Sequence, residues 1–352
     1  MKRKVIRQRH QEKAEEKPER KVYASNNVNK NLSLNDALDV FVTAKKAEGL
    51  RERTIAEYYR HITYLIEFIG SDIPLSELSS DLIRRYANYL LNEKLTYDKD
   101  ERRKSKRIGL SPHTVNIRLR TLKTMCRFWY AEGYSDNNPM ATVKPVKTDQ
   151  VAEVQGLSDQ QVRILLNNYD ETSYAEWRDK TLVFLLLDTG LRINEAVTLT
   201  IDQIDFRRNM LNIPSERTKN RRYREVPVSL EVVQRLLELN QESQEYFGYS
   251  ERIFTNAFGE NYTADSFRKR LNRVKHKLGM DTLHPHQFRH TFAREYILSV
   301  GDIFTLQKIL DHADIKTTRK YIQMDTDHIR SQHLNYTPTR KYLRKVKRNF
   351  PR

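Results

Sequence analysis

From Leu32 to Ala131 the apolar residues return every three or four positions, which is the period of one face of an α-helix and not of a strand. That periodicity commits the first third of the chain to helices packed on one another. Ser33 and Asp36 stand as a capping box, with an acid where Glu or Gln is usual, ahead of Ala37, Leu38, Phe41 and Val42. Thr54 is placed to cap a second stripe of Ile55, Tyr58, Ile62, Leu65, Ile66 and Ile69. Ser80 or Asp81 opens a third, through Leu82, Ile83, Tyr86 and Leu90. Ser111-Pro112 reads as cap and first-turn proline of a long helix through Val115, Leu119, Leu122, Met125, Phe128 and Trp129, ending near Gly133. Residues 98–109 are charged and aperiodic, so a loop is expected there. Residues 31–140 are therefore predicted to form a bundle of about four helices.

Residues 141–156 carry a proline and no periodicity, as an interdomain linker would. A new helix is expected after Leu157 with Ser158 as its cap. Leu182–Leu187 is apolar throughout, which reads as a buried helix, and Thr189-Gly190-Leu191-Arg192 interrupts it before Ile193–Leu199. The pattern then changes. Ile201–Phe206, Met210–Ile213 and Tyr223–Val228 are strand candidates separated by charged turns. From Leu230 to Met324 helical spacing resumes, broken near Gly248, Gly259, Pro285 and Gly301. The expected fold class is mainly α with a small antiparallel β-sheet. A second domain is expected over 157–336, and 352 residues suffice for both.

Lysine and arginine outnumber aspartate and glutamate by 63 to 46, a net charge of +17, which suits a polyanionic partner. The excess is uneven. Residues 1–30 carry +6 and residues 337–352 carry +7, whereas 151–336 is neutral. The first segment is expected to be a flexible basic tail that adds phosphate contacts. In the last, Thr337-Pro338 followed by Tyr342, Leu343, Val346 and Phe350 suits a basic helix that docks on a neighbouring protomer. The single cysteine, Cys126, excludes a disulfide scaffold and thiolate zinc sites. No apolar run reaches 18 residues, so no membrane partner is expected. No glycine-rich phosphate loop is present, which argues against an ATPase.

Four blocks of the second half carry chemistry. They are T-G-L-R-I-N-E-A, with Arg192 and Glu195; Thr218-Lys219-Asn220 in a turn before R-E-V-P-V; H-P-H-Q-F-R-H-T-F-A, with His286 and Arg289; and L-D-H-A-D-I-K-T-T-R-K-Y, with His312 and Tyr321. His284, His286, His290 and His312 could also suggest zinc, but no acidic cluster and no thiols accompany them.

In order and spacing the four blocks resemble the catalytic domain of the tyrosine recombinases, the phage integrase family. The first half is similar to that family's helical core-binding domain, through its helix pattern and Asn138-Pro139. The resemblance implies a site-specific recombinase that transfers a DNA phosphodiester to Tyr321, giving a 3′-phosphotyrosine and a free 5′-hydroxyl. It implies Arg192 and Arg289 on the non-bridging oxygens, a task that the planar guanidinium fork suits. Lys219 would protonate the leaving oxygen, His286 would exchange a proton near Tyr321, and His312 would donate a hydrogen bond to the phosphate. Glu195 is expected to be a structural partner, since a carboxylate would repel phosphate. The adduct keeps the phosphodiester energy, so no metal, ATP or other cofactor is expected.

The implied partners are double-stranded recombination sites gripped between the two domains, with four protomers on two sites and room for accessory proteins. The implied setting is the DNA-associated cytoplasm of a bacterium, with the gene on the chromosome, a phage or another mobile element. Arg51, Arg53, Arg60, Arg118, Arg120 and Lys123 of the first half are candidates for backbone phosphates, as are Arg221 and Arg222, with Arg217 and Arg224, around Lys219. Asp311 stands where the family commonly has glycine, and a local backbone difference touching no catalytic atom is expected there. A DNA-binding protein with a degenerate site and a type IB topoisomerase-like enzyme are the alternatives. The recombinase-style blocks and the C-terminal segment argue against the second.

Overall fold

The structure is a computed structural model that describes residues 31–98, 101, 106–148, 156–216, 218, 220–299, 301–319 and 321, and positions 330, 333, 334, 337 and 339–342. The basic tail 1–30, Lys219, Arg217 and most of the C-terminal segment lie outside the described residues. The chain divides into two compact units between residues 151 and 152. The architecture is mainly α-helical with one small antiparallel sheet.

The first unit contains α1 (Leu34–Ala47), α2 (Glu52–Ile69), α3 (Ser80–Asn92) and α4 (Pro112–Ala131). Ser33 caps α1 in a reciprocal box with Asp36, and Ser111 caps α4 with Pro112 in its first turn. One start differs from expectation: Arg51, with no side-chain cap bond, precedes α2, so Thr54 lies inside the first turn. Helix α3 opens at Ser80 as expected, with Ser79 as its cap. The apolar stripes meet in one core around Phe41, Ile62, Leu65, Tyr86 and Trp129, whose indole N–H donates to the Ala37 carbonyl at 2.7 Å. Such a bond satisfies the one polar atom of a fully buried ring. The charged loop is pinned at its base, where Thr96 N–H donates to the Arg107 carbonyl at 2.8 Å.

Part of the expected linker is packed. Val143 is buried in the first core and Val146 lies against it. Asn116 on α4 exchanges two hydrogen bonds with the Val146 backbone, at 2.9 and 2.8 Å. Irregular backbone is thereby fixed by a side-chain amide, which no periodicity reveals.

The first described residue of the second unit is Gly156, where a Cβ would sit 2.8 Å from the Thr291 backbone. The Leu157 N–H donates to Thr291 Oγ1 at 2.7 Å. Ser158 caps α5 (Asp159–Asn167) in a box with Gln161. No residue of helix α6 (Tyr174–Thr189) is exposed, and Leu182, Val183, Leu185 and Leu186 of its apolar run are fully buried. Then follow α7 (Ile193–Val197), the strands β1 (Ile204–Asp205), β2 (Met210–Ile213) and β3 (Arg224–Pro227), and helices α8 (Leu230–Phe247), α9 (Ala264–Lys277), α10 (Pro285–Leu298), α11 (Ile303–Leu310) and α12 (Ile315–Arg319). The sheet order is β1-β2-β3, antiparallel throughout, with Leu211 opposite Val226 and Ile213 opposite Arg224. The first strand is shorter than expected, because Ile201–Gln203 forms a 3₁₀ turn capped by Thr200.

Candidate active site

Four segments of the second unit converge on one charged cluster. Helix α6 ends at Gly190 in a left-handed conformation, φ 62°, where a Cβ would lie 2.5 Å from Phe292 Cδ1 and 2.8 Å from Leu310 Cδ2. Only glycine suits both the dihedral and the space. The chain turns there and presents Arg192 as the N-cap of α7.

Glu195, whose side chain is only 1% exposed, is the hub. Its Oε1 accepts from Arg192 Nη1 at 3.1 Å, and its Oε2 accepts from the Arg192 backbone N–H at 2.9 Å and from Arg224 Nη2 at 2.6 Å. Both carboxylate oxygens are thus used in fixing arginines, in line with the structural role expected of it. Arg224 was expected to face DNA with its hairpin neighbours. It is buried instead, donating also to the Ile309 carbonyl at 2.7 Å. Alternation explains this: Arg224 and Val226 share the inward face of β3. Burial pulls the Arg224 guanidinium below its usual range, against the opposing pull of Glu195.

Arg289, in the second turn of α10, is also buried. Its guanidinium donates to the Gly190 carbonyl at 2.7 Å and to the Leu310 carbonyl. These are the C-terminal ends of α6 and α11, where unpaired carbonyls favour a cation. Burial and then the nearby Arg192 push Arg289 down to about 9. It stays charged at neutral pH, and the mutual repulsion of the two arginines leaves the cluster receptive to an anion.

Asp311 contradicts expectation. It ends α11 in a left-handed conformation, φ 52°, ψ 51°. Its carboxylate lies 3.2 Å from Arg192 Nη1, and its carbonyl accepts from Arg192 Nη2 at 3.1 Å and from Asn220 Nδ2 at 2.9 Å. The residue that was expected to touch no catalytic atom holds Arg192 directly. Sequence could not show this, since the partner lies 119 positions away.

His312 follows. Its Nδ1 is 2.9 Å from the hydroxyl of the fully buried Thr318. When Thr318 donates, the neutral ring carries its proton on Nε2, ready to donate outward. Burial, then Arg289 and Arg192, push His312 down to about 4, so the ring is neutral at physiological pH. Tyr321, after α12, stacks on His312 with centroids 6.3 Å apart and planes at 12°. Its phenol is raised by burial and lowered by Arg289.

The second ring against Tyr321 is His290, at 5.4 Å and 51°. His286, one turn earlier on α10, is exposed, with the ring of His284 6.5 Å away. Partial desolvation by the surrounding protein and then Arg289 lower the ring of His286. His290 was missed as a neighbour of the tyrosine, although its spacing of four from His286 already placed both on one helical face. Thr218, buried, and Asn220 flank Lys219, which itself lies outside the described residues. Arg221 and Arg222 are exposed. A cleft of about 670 Å³, lined by Arg222, Tyr223, Phe304, Lys308, Asp311 and His312 among others, opens beside the cluster.

In the first unit Arg51, Arg53, Arg60, Arg120 and Lys123 are exposed. Arg118 is not; it turns inward with its guanidinium 4.2 Å from the Tyr64 ring centroid. Among the described residues no group of three or more His, Cys, Asp or Glu side chains could hold a metal ion. None of the described helices is long and apolar enough to cross a membrane.

Comparison with known proteins gives a consistent result. A model described as "Phage integrase family" matches residues 155–328, and one described as "Phage integrase SAM-like domain" matches residues 33–146. The chain is 30% identical over 301 residues to a tyrosine recombinase XerA of Saccharolobus solfataricus, covering 85% of this chain and 92% of that protein. It is 29% identical over 224 residues to a tyrosine recombinase XerC of Alcanivorax borkumensis, covering 63% and 73%. Its fold is similar to that of the Tn1549 transposon integrase in complex with a circular intermediate DNA, with a TM-score of 0.66 at 19% identity, covering 85% of this chain and 99% of that one. It is also similar in fold to a lambda integrase dimer bound to a core site, with a TM-score of 0.63 at 18% identity, covering 84% and 99%.

Proposed function

The chain belongs to the phage integrase family of tyrosine recombinases, and from that premise we propose that it cuts and rejoins DNA strands at specific sites through Tyr321. The observation that carries the proposal is the convergence of Tyr321, His312, Arg289 and Arg192 from three separate blocks of sequence onto one cluster. The tyrosine oxygen attacks the scissile phosphorus, and the bond to the 5′ oxygen breaks, leaving a 3′-phosphotyrosyl linkage and a 5′-hydroxyl. Arg192 and Arg289 hold the non-bridging oxygens and take up the charge that grows in the transition state. His312 donates from Nε2 to the phosphate. Lys219 protonates the leaving oxygen, and His286 accepts the phenol proton that Tyr321 releases as it attacks. Rejoining reverses these steps and draws on the energy kept in the adduct, so neither metal nor ATP enters.

The substrate is double-stranded DNA, bound through exposed basic side chains such as Arg51, Arg53, Arg60, Arg120 and Lys123, with Arg221 and Arg222 beside the site. The active assembly is a tetramer on two sites, with residues 337–352 docking between protomers. The similarity in fold to the Tn1549 transposon integrase, which was solved in complex with a circular intermediate DNA, supports DNA as the substrate.

The test is a suicide substrate, a duplex nicked near the cleavage point so that the adduct is trapped. Wild type should accumulate a covalent complex without metal or ATP. Tyr321→Phe should form none while binding the same DNA. Arg289→Gln should cleave about 10²–10³-fold more slowly. A Tyr321→Phe protein that still forms adduct would refute the assignment.

A further inference from the structure

The anion-binding edge of Arg192 already holds an anion. Arg192 Nη1 and Nη2 form the end-on edge of the guanidinium, and Asp311 takes both, through its carboxylate at 3.2 Å and its carbonyl at 3.1 Å. A phosphate engages arginine with the same two-oxygen grip. The pair is nearly enclosed, with side-chain exposures of 20% for Arg192 and 10% for Asp311. The two carboxylates of the cluster are not equivalent. Glu195 holds three donors from two arginines and is part of the frame. The Asp311 carboxylate holds one, and it sits at the edge of the cleft that runs beside the site. The backbone there does not require it. A left-handed residue at the end of a helix is served by glycine or asparagine without any charge. With Asp311 in place, three guanidinium groups face two carboxylates and the cluster keeps a single net positive charge.

We propose that Asp311 is a positioning residue that acts through Arg192: in the DNA-free protein its carboxylate occupies the Nη1 position that an oxygen of the scissile phosphate needs, and cleavage waits on its displacement. The proposal rests on the recombinase reading above. Its consequence is a restraint built into the site. A phosphate that is not firmly seated by the rest of the DNA contacts loses the competition to the tethered carboxylate, so isolated or mispositioned duplex is left uncut. A glycine at this position would leave the backbone carbonyl on Arg192 and remove the competitor.

The decisive variant is Asp311→Asn, which tolerates the left-handed backbone and removes only the charge. Two nicked duplexes are compared, one with an ordinary scissile phosphodiester and one with a neutral methylphosphonate at that position. At limiting protein, Asp311→Asn should cleave the phosphodiester about fivefold or more faster than wild type. It should cleave the methylphosphonate within about twofold of wild type, because a neutral linkage does not compete for charge. A variant that is no faster on the phosphodiester, or that changes both substrates alike, overturns the proposal and leaves the recombinase reading intact.

A second measurement does not depend on cleavage. Inorganic phosphate should raise the unfolding temperature of DNA-free Asp311→Asn at lower concentration than it does for wild type, and the difference should vanish when Arg192→Gln is added. Equal protection of wild type and variant overturns the proposal. If wild type cuts no substrate, the recombinase reading fails, and the phosphate titration still decides what Asp311 does to Arg192.

Discussion

Replacing Glu195 by glutamine removes one charge and almost no volume. The carboxylate accepts three hydrogen bonds, from the Arg192 backbone at 2.9 Å, Arg192 Nη1 at 3.1 Å and Arg224 Nη2 at 2.6 Å. At 1% exposure no water can replace it. The other acceptor of Arg224 is the Ile309 carbonyl, which cannot neutralise a buried guanidinium. Leaving such a charge unpaired costs about 3–5 kcal/mol. A glutamine oxygen that keeps one bond returns about 1 kcal/mol, so the net loss is about 2–4 kcal/mol. With a urea slope of about 2–3 kcal/mol per molar, the midpoint of the second unit falls by about 1 M. Trp177 belongs to that unit and reports its unfolding by fluorescence, with circular dichroism as a second probe. Adding Arg224→Met removes the orphaned charge, so the double variant should recover about 2 kcal/mol relative to the sum of the singles. A midpoint shift below about 0.3 M for Glu195→Gln, or strict additivity of the pair, would refute the hub.

Three further outcomes follow from the same geometry. Gly190→Ala must hold a side chain at φ 62° and 2.5 Å from Phe292, so it should destabilise the second unit by about 2–4 kcal/mol in the same urea titration. His312 is pushed down to about 4 in the folded protein, whereas the unfolded chain binds a proton below its ordinary value of 6.5. The His312 contribution to the stability of the second unit should therefore be fully present above about pH 7 and be lost as the pH drops from 6.5 toward 4, by up to about 3 kcal/mol. His284 and His286 shift in the same direction, so His312→Asn should flatten that slope without abolishing it. In the first unit, Arg120→Ala should reduce the slope of log affinity against log salt by about 0.9. Arg118→Ala should leave that slope unchanged and instead cost about 1 kcal/mol of stability, because its guanidinium is stacked on Tyr64.

Much of the fold is legible in local sequence signals. The caps at Ser33, Ser111 and Ser158 were legible because a hydroxyl before a periodic stripe can accept from the free N–H groups of a first turn, a signal that Thr54 also gives although it lies inside its helix. The buried α6 was legible because no amphipathic reading fits a solid apolar run. The site was legible as four blocks. Their joint order carried meaning that no single arginine or histidine could.

What stayed hidden was tertiary. Arg224 sits in a charged hairpin and reads as solvated until its strand phase and its partner Glu195 are known. Arg118 reads as a surface cation until Tyr64 appears beneath it. Residues 141–148 lack periodicity because a side-chain amide and two valines hold them, with no helix or strand. Asp311 looked like a backbone substitution and is a charge on Arg192. His290 was on the right face of α10, but only the fold shows that its ring meets Tyr321.

The most direct measurement maps the adduct. The protein is trapped on a nicked duplex bearing its own site, without metal or ATP, then digested and analysed by mass spectrometry. The account predicts one modified residue, Tyr321, joined to the 3′ phosphate of the cut strand, with a free 5′-hydroxyl on the other side. A phosphoryl group on any other tyrosine, or one joined to a 5′ end, would contradict it.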